Sequence, residues 1–203
     1  KTRRIPLTAE NQLSAPQRGL KMEQGYLAIV LHAHLPFVRH PEYADALEEY
    51  WLFEAITDTY LPLLFVLDSL VEEEIDFRLT LSITPTLASM LADPFLQSRY
   101  LYRLERLIEL GEREVKRTRS DPEFNALARM YYQRLLEVHE AFVNRYHRNL
   151  VLAFKRLQEL GLVEIIASAA THGYLPLLSV NTSAVRSQIR LGIEDYQRAF
   201  GGR

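Results

Sequence analysis

The stretch Tyr26-Leu27-Ala28-Ile29-Val30-Leu31-His32-Ala33-His34-Leu35-Pro36 organises the reading of this 203-residue chain. Its first six residues are apolar and include β-branched Ile29 and Val30, the pattern of a strand covered on both faces. If extension continues past Leu31, His32 and His34 point to one side and Ala33 to the other, because side chains alternate along a strand.

Two further strands are expected. Asp76–Ile83 places Phe77, Leu79, Leu81 and Ile83 on one face, and Val163–Ser168 is a short run rich in branched residues. Helical spacing fills the intervals. Residues 45–74 carry Leu47, Trp51, Ala55, Leu64, Leu67 and Val71 at that spacing, with Pro62 expected to break or kink the stretch. Pro85 suits the first turn of a short helix. Long helices are expected near 94–118 and 122–160, the second opening at Pro122 and capped by Gly161. Asn181 caps a last helix over 182–200. Strands alternating with helices imply an α/β fold with parallel strands and a large helical insertion between strands 2 and 3. Three strands make an incomplete layer, and Gly201-Gly202-Arg203 reads as a loop leading onward.

Composition narrows the function classes. The chain is 48% hydrophobic and 25% charged, so a packed core is expected. It has no cysteine, which removes disulfides, thiolate metal sites and cysteine nucleophiles and fits a cytoplasmic protein. A net charge of −2 gives no bulk attraction for nucleic acid. Apolar runs are about a strand long, so no membrane association is expected. Residues 1–21 hold five basic residues against one acid, with Pro6 and Pro16; they read as a flexible extension, with the folded part beginning near Met22.

The informative side chains stand at strand ends. His32 and His34 follow the first strand, Thr84 and Pro85 close the second, and His172 lies just past the third. Open α/β sheets and βα barrels build their sites at these carboxyl ends. His139 and His147 read as surface or inter-helix residues, and His40 receives no role.

The segment from Gly25 to Glu42 closely resembles the opening of glycoside hydrolase family 57 proteins, specifically the α-1,4-glucan branching enzymes in that family. Glu48-Glu49-Tyr50-Trp51-Leu52-Phe53-Glu54-Ala55-Ile56 resembles the segment that follows, and Ala169–Leu178 resembles a second motif of the group. The resemblance implies the N-terminal portion of a distorted seven-unit (β/α) barrel over residues 22–203. It also implies a retaining glucanotransferase that makes α-1,6 branches in glycogen-like glucan, with α-1,4-glucan (amylose, glycogen) as partner and no cofactor. His32, His34 and His172 would be sugar-binding residues of the donor subsite. Trp51, the only tryptophan, reads either as a sugar-stacking platform or as a core residue in line with Leu47 and Ala55.

In the family the nucleophile is a glutamate in a Trp-Leu-Pro-Glu stretch ending a fourth strand, and the acid/base is a more distant aspartate. No matching carboxylate is present: Glu164 and Asp76 stand at the entry ends of their strands, and Glu42 and Asp45 have nothing to orient them. The chain therefore reads as truncated before the nucleophile strand and inactive alone, with self-association possible through an open sheet edge. A family 57 α-amylase or 4-α-glucanotransferase is the nearest alternative. Two further readings come from other classes: a metal-dependent polysaccharide deacetylase using the three histidines as ligands, or a non-catalytic α-glucan-binding module.

Overall fold

The structure is a computed structural model that describes Gly25 and residues 27–201. The extension expected over residues 1–21 lies outside the described residues. Three strands form one parallel sheet in the order β1 (Val30–Ala33), β2 (Leu79–Ile83), β3 (Val163–Ile166). Leu31 pairs with Leu81 and Leu81 with Ile165, so alternate residues align across all three strands.

This register separates two faces. Ala33, Leu81, Ile83, Val163 and Ile165 are buried beneath the helices. The opposite face presents Val30, His32, Thr80, Ser82, Glu164 and Ile166, and Val30 is 61% exposed. The covering of both faces expected for the first strand is thus corrected. The strand starts four residues later than the apolar run, Leu27 and Ile29 remain exposed, and only Leu31 and Ala33 turn toward the core.

Eight α-helices accompany the sheet among the described residues: α1 (Glu49–Ala55), α2 (Leu61–Glu72), α3 (Pro85–Leu91), α4 (Pro94–Arg117), α5 (Pro122–Glu140), α6 (Leu150–Glu159), α7 (Leu175–Leu178) and α8 (Thr182–Phe200). Helices α1 and α2 run on through a π-helical turn at Ile56–Tyr60, so Pro62 does not break the stretch. It falls at the first positions after that turn, where a missing N–H is tolerated. The resulting 24-residue helical run, with a mean hydropathy of 1.2 over its most apolar part, is long and apolar enough to cross a bilayer by length and composition alone, although its unbroken apolar stretches stay about a strand long. Its Leu52, Phe53, Ile56, Leu61, Leu64 and Leu67 are instead buried in the core.

The single helix expected over 122–160 is divided. A π-helical turn at Ala141–Arg145 ends α5, His147 and Arg148 take positive φ of 48° and 64°, and the Asn149 side chain caps α6. Asn149 was the readable signal, since a short polar side chain competes for backbone N–H groups at helix starts. The expected cap at Asn181 accepts from the first turn of α8, and Gly161, with φ 72°, follows the end of α6 as expected; Asp93 and Asp121, which carried no expectation, cap α4 and α5 in the same way as Asn181. Helix α7, only four residues long, was not expected.

Candidate active site

The carboxyl ends of the strands bring His32, His34 and His172 together. Ring centroids are 6.1 Å apart for His32 and His34, 5.0 Å for His32 and His172, and 4.2 Å for His34 and His172. Alternation accounts for the first pair, since Ala33 between them is buried on the helical side. His32 and His172 are exposed and His34 is half-buried.

Each ring is held from its own side. His34 Nδ1 shares a 3.1 Å hydrogen bond with Thr84 Oγ1, and Thr84 is fully buried at the end of β2. That same hydroxyl accepts from Leu87 N as the cap of α3 and lies 3.2 Å from the Thr86 hydroxyl, which donates to Leu35 O. Thr84 therefore joins β1, β2 and α3 at the base of the site. Position alone had marked it as a strand terminus; its reach to His34 needed the β1–β2 register.

His172 takes a left-handed backbone, φ 54°, which costs a non-glycine residue of the order of 1–3 kcal/mol and requires outside support. Gln188 of α8 supplies it: Gln188 O accepts from Ala170 N at 3.0 Å, and its side chain both accepts from Thr171 N and donates to Thr171 Oγ1 at 2.9 Å. Helix α8 comes this close because residue 192 is glycine; a Cβ there would stand 2.6 Å from Ser168 O. Gln188 and Gly192 carried no motif in the sequence.

The loop after β1 is fastened to α3 and α4. Val38 N donates to Met90 Sδ, and Arg39 pairs with Asp93 at 2.7 Å. Buried Glu49 accepts from His40 N at 2.9 Å and from Arg99 Nη1 at 2.6 Å, while Arg99 also donates to His40 O. Arg39 and Arg99 both lie over the Phe95 ring, at 4.8 and 4.4 Å.

Electrostatics in the cluster favour an uncharged His34 ring. Partial burial pushes the His34 imidazole below its ordinary pKa, and the neighbouring His172 and His32 push it further the same way. A neutral imidazole offers one donor and one acceptor, which suits hydroxyl-rich ligands. Among the described residues no three His, Cys, Asp or Glu side chains form a group able to hold a metal ion.

The remaining sequence assignments fare differently. Trp51 is 52% exposed on α1 and Leu47 is 73% exposed, so the core reading of Trp51 is corrected. Among the described residues no ring contact joins it to the three imidazoles. His139 faces Glu105 across the α4–α5 pair at 3.9 Å, in keeping with an inter-helix residue. The first residues after the strands, 34–41, 84–92 and 167–181, contain no carboxylate. Glu42 and Asp45 come later in the first loop and, contrary to expectation, each has a partner: Glu42 lies 3.0 Å from His40 Nδ1, and Asp45 accepts from the Tyr50 hydroxyl at 2.7 Å.

Known proteins resemble this chain in sequence and in fold. A 1,4-alpha-glucan branching enzyme of Thermococcus kodakarensis is 35% identical over 179 residues, 88% of this chain and 26% of its own. The crystal structure of the alpha-amylase AmyC from Thermotoga maritima matches with a TM-score of 0.82 and 43% identity over 87% of this chain. That of a GH57-type branching enzyme from Pyrococcus horikoshii matches with a TM-score of 0.81 and 35% identity over 88%. This chain spans 33% of each of those two structures. The model of the family described as Glycosyl hydrolase family 57 matches residues 28–203, and the chain belongs to that family.

Proposed function

We propose that this chain forms the donor-sugar side of the site in a retaining α-1,4-glucan branching enzyme. The observation that carries the reading is the convergence of three imidazoles within 4.2–6.1 Å at the carboxyl edge of a parallel sheet. His34, fixed through Nδ1 to Thr84, keeps Nε2 for a sugar hydroxyl; His32 and His172 meet the hydroxyls beside it. Retention requires a nucleophile and an acid/base carboxyl about 5–5.5 Å apart. With no carboxylate directly after β1, β2 or β3, both are assigned outside residues 27–201. The histidines then orient the glucosyl unit through formation of the covalent intermediate and its transfer to a glucan hydroxyl. Hydrogen bonds to ring hydroxyls strengthen as the oxocarbenium-like transition state develops, so they act on rate more than on binding.

A family 57 α-amylase is the second reading, favoured by the higher identity to the Thermotoga maritima structure. One assay separates the two in the gene product that contains this chain. With amylose, branching produces α-1,6 anomeric protons in the NMR spectrum at nearly constant reducing ends, and hydrolysis raises reducing ends alone. Under the branching reading His32→Ala or His172→Ala lowers kcat by roughly 30- to 1,000-fold, the cost of about 2–4 kcal/mol for one transition-state hydrogen bond. Wild-type rates in both variants would show that the imidazoles are structural.

A further inference from the structure

A second cleft opens behind the histidine loops, between α3 and α8. Its volume is about 410 Å³, in the range of small-ligand sites. The two loops that carry His34 and His172 both reach it: Phe37 comes from the first and Ala170 from the second. Phe37 is 59% exposed, a large apolar ring left facing solvent at the mouth of a cavity. Also lining it, α8 sets the Asp195 carboxylate against the Arg198 guanidinium, and Arg198 Nη2 reaches Ser89 Oγ at 3.4 Å. The Asp195 side chain is 14% exposed, so its oxygens are held in place rather than free in solvent, while Arg198 is 71% exposed.

We infer that this cleft binds a further glucosyl segment of the same glucan, packed on Phe37 and hydrogen-bonded by Asp195 and Arg198. The inference rests on the α-glucan reading of the chain. A glucose unit has an apolar face and a rim of vicinal hydroxyls. A flat aromatic ring matches the face, and a carboxylate beside a guanidinium supplies the acceptor and the donors that neighbouring hydroxyls need. The histidine cluster is built differently, from imidazoles alone. Because both sites lie on the same two loops, a chain held in the cleft raises the local concentration of its other units at the histidines. Short sugars gain nothing from this; long ones do.

The test is an NMR titration of this chain with maltoheptaose, following backbone amides. The expected result is a saturable shift at Phe37, Ser89 and Arg198, weakened about threefold to tenfold in Phe37→Ala and in Arg198→Met. Both side chains are exposed, so neither variant depends on refolding a core. Shifts at Thr171 and His172 persist in these variants when titrated with maltose. The inference is overturned if the cleft amides do not move, or if their affinity is the same in wild type and both variants. Movement in the cleft that survives His32→Ala, with no shift at His172 in the wild type, leaves the cleft standing and removes the sugar role of the histidines.

Discussion

Along α4 from Arg106 to Arg117 the ion pairs join residues three or four apart: Arg106 with Glu109, Glu112 with Lys116, Glu114 with Arg117. At the histidine edge the partners come from far along the chain. His34 meets Thr84 and Glu49 meets Arg99, each across 50 residues, and Thr171 meets Gln188 across 17. The pairs along α4 are exposed and repeat a helical period; at the edge, the His34–Thr84 and Glu49–Arg99 contacts are partly buried, while the exposed Thr171–Gln188 contact braces a left-handed histidine where a glycine lets a helix approach. A surface built from local pairs tolerates the loss of any one. A site built from single long-range contacts does not, because each of them fixes a different loop.

The strongest way to break this contrast is to remove one partner from an ion pair in each place. In Arg99→Ala the Glu49 carboxylate, its side chain 2% exposed, keeps only the His40 N–H. Leaving a buried charge unpaired is expected to cost about 3 kcal/mol in urea unfolding. Glu114→Ala in α4 is expected to leave the unfolding midpoint where it is, since exposed pairs contribute little. Equal shifts in the two variants would refute the distinction.

Glycines sharpen it next. A Cβ on Gly192 would stand 2.6 Å from the backbone oxygen of Ser168, which has nowhere to move without displacing the His172 loop. Gly192→Ala should therefore destabilise by about 1–3 kcal/mol despite its better helix propensity. A Cβ on Gly111 in α4 would meet Tyr132 Cδ2 at 3.2 Å, a contact that a small ring shift relieves. Gly111→Ala is expected to be neutral or to raise the melting temperature. A Gly192→Ala protein as stable as wild type would mean that the loop is not held by close packing.

The smallest effect is on pH dependence. His34 is held below its ordinary pKa near 6.5, so the unfolded chain binds a proton more readily than the folded one. The stability this contributes is complete above about pH 6.5 and is lost as pH falls through the lower folded value. Urea midpoints should fall on going from pH 7 to pH 5, and His34→Gln should flatten that slope. The Glu114→Ala protein should keep it. An unchanged slope in His34→Gln would place the acid sensitivity outside the cluster.

What could be read in the sequence follows the same division. The Asn181 cap, the helix stop at Gly161, the helix starts at Pro85 and Pro122 and the apolar alternation from Leu79 to Ile83 are local signals, and the structure carries all of them. Alternation in His32-Ala33-His34 placed two imidazoles on one side, and the position of His172 after β3 brought the third. Thr84, Gln188 and Gly192 stayed hidden because their importance lies in partners that only the fold brings near. The extent of β1 was misread for a physical reason: an apolar run shows that a strand is present, not which of its faces finds a neighbour. The break at residues 146–149 is hard to read because its one signal, Asn149, stands alone in a sequence otherwise rich in good helix formers.

The parallel pairing of β2 with β3 also sets a schedule during synthesis. Thr80 and Glu164, neighbours across the two strands, are separated by 84 residues. At the usual pace of translation β2 emerges on the order of ten seconds before its outer partner exists. Over that interval its outer backbone edge has no strand beside it, while α4 and α5 are completed before β3 and have in each other the partner they need. The hairpin, once formed, draws the two ends of that long connection together and shortens the search that β3 must complete.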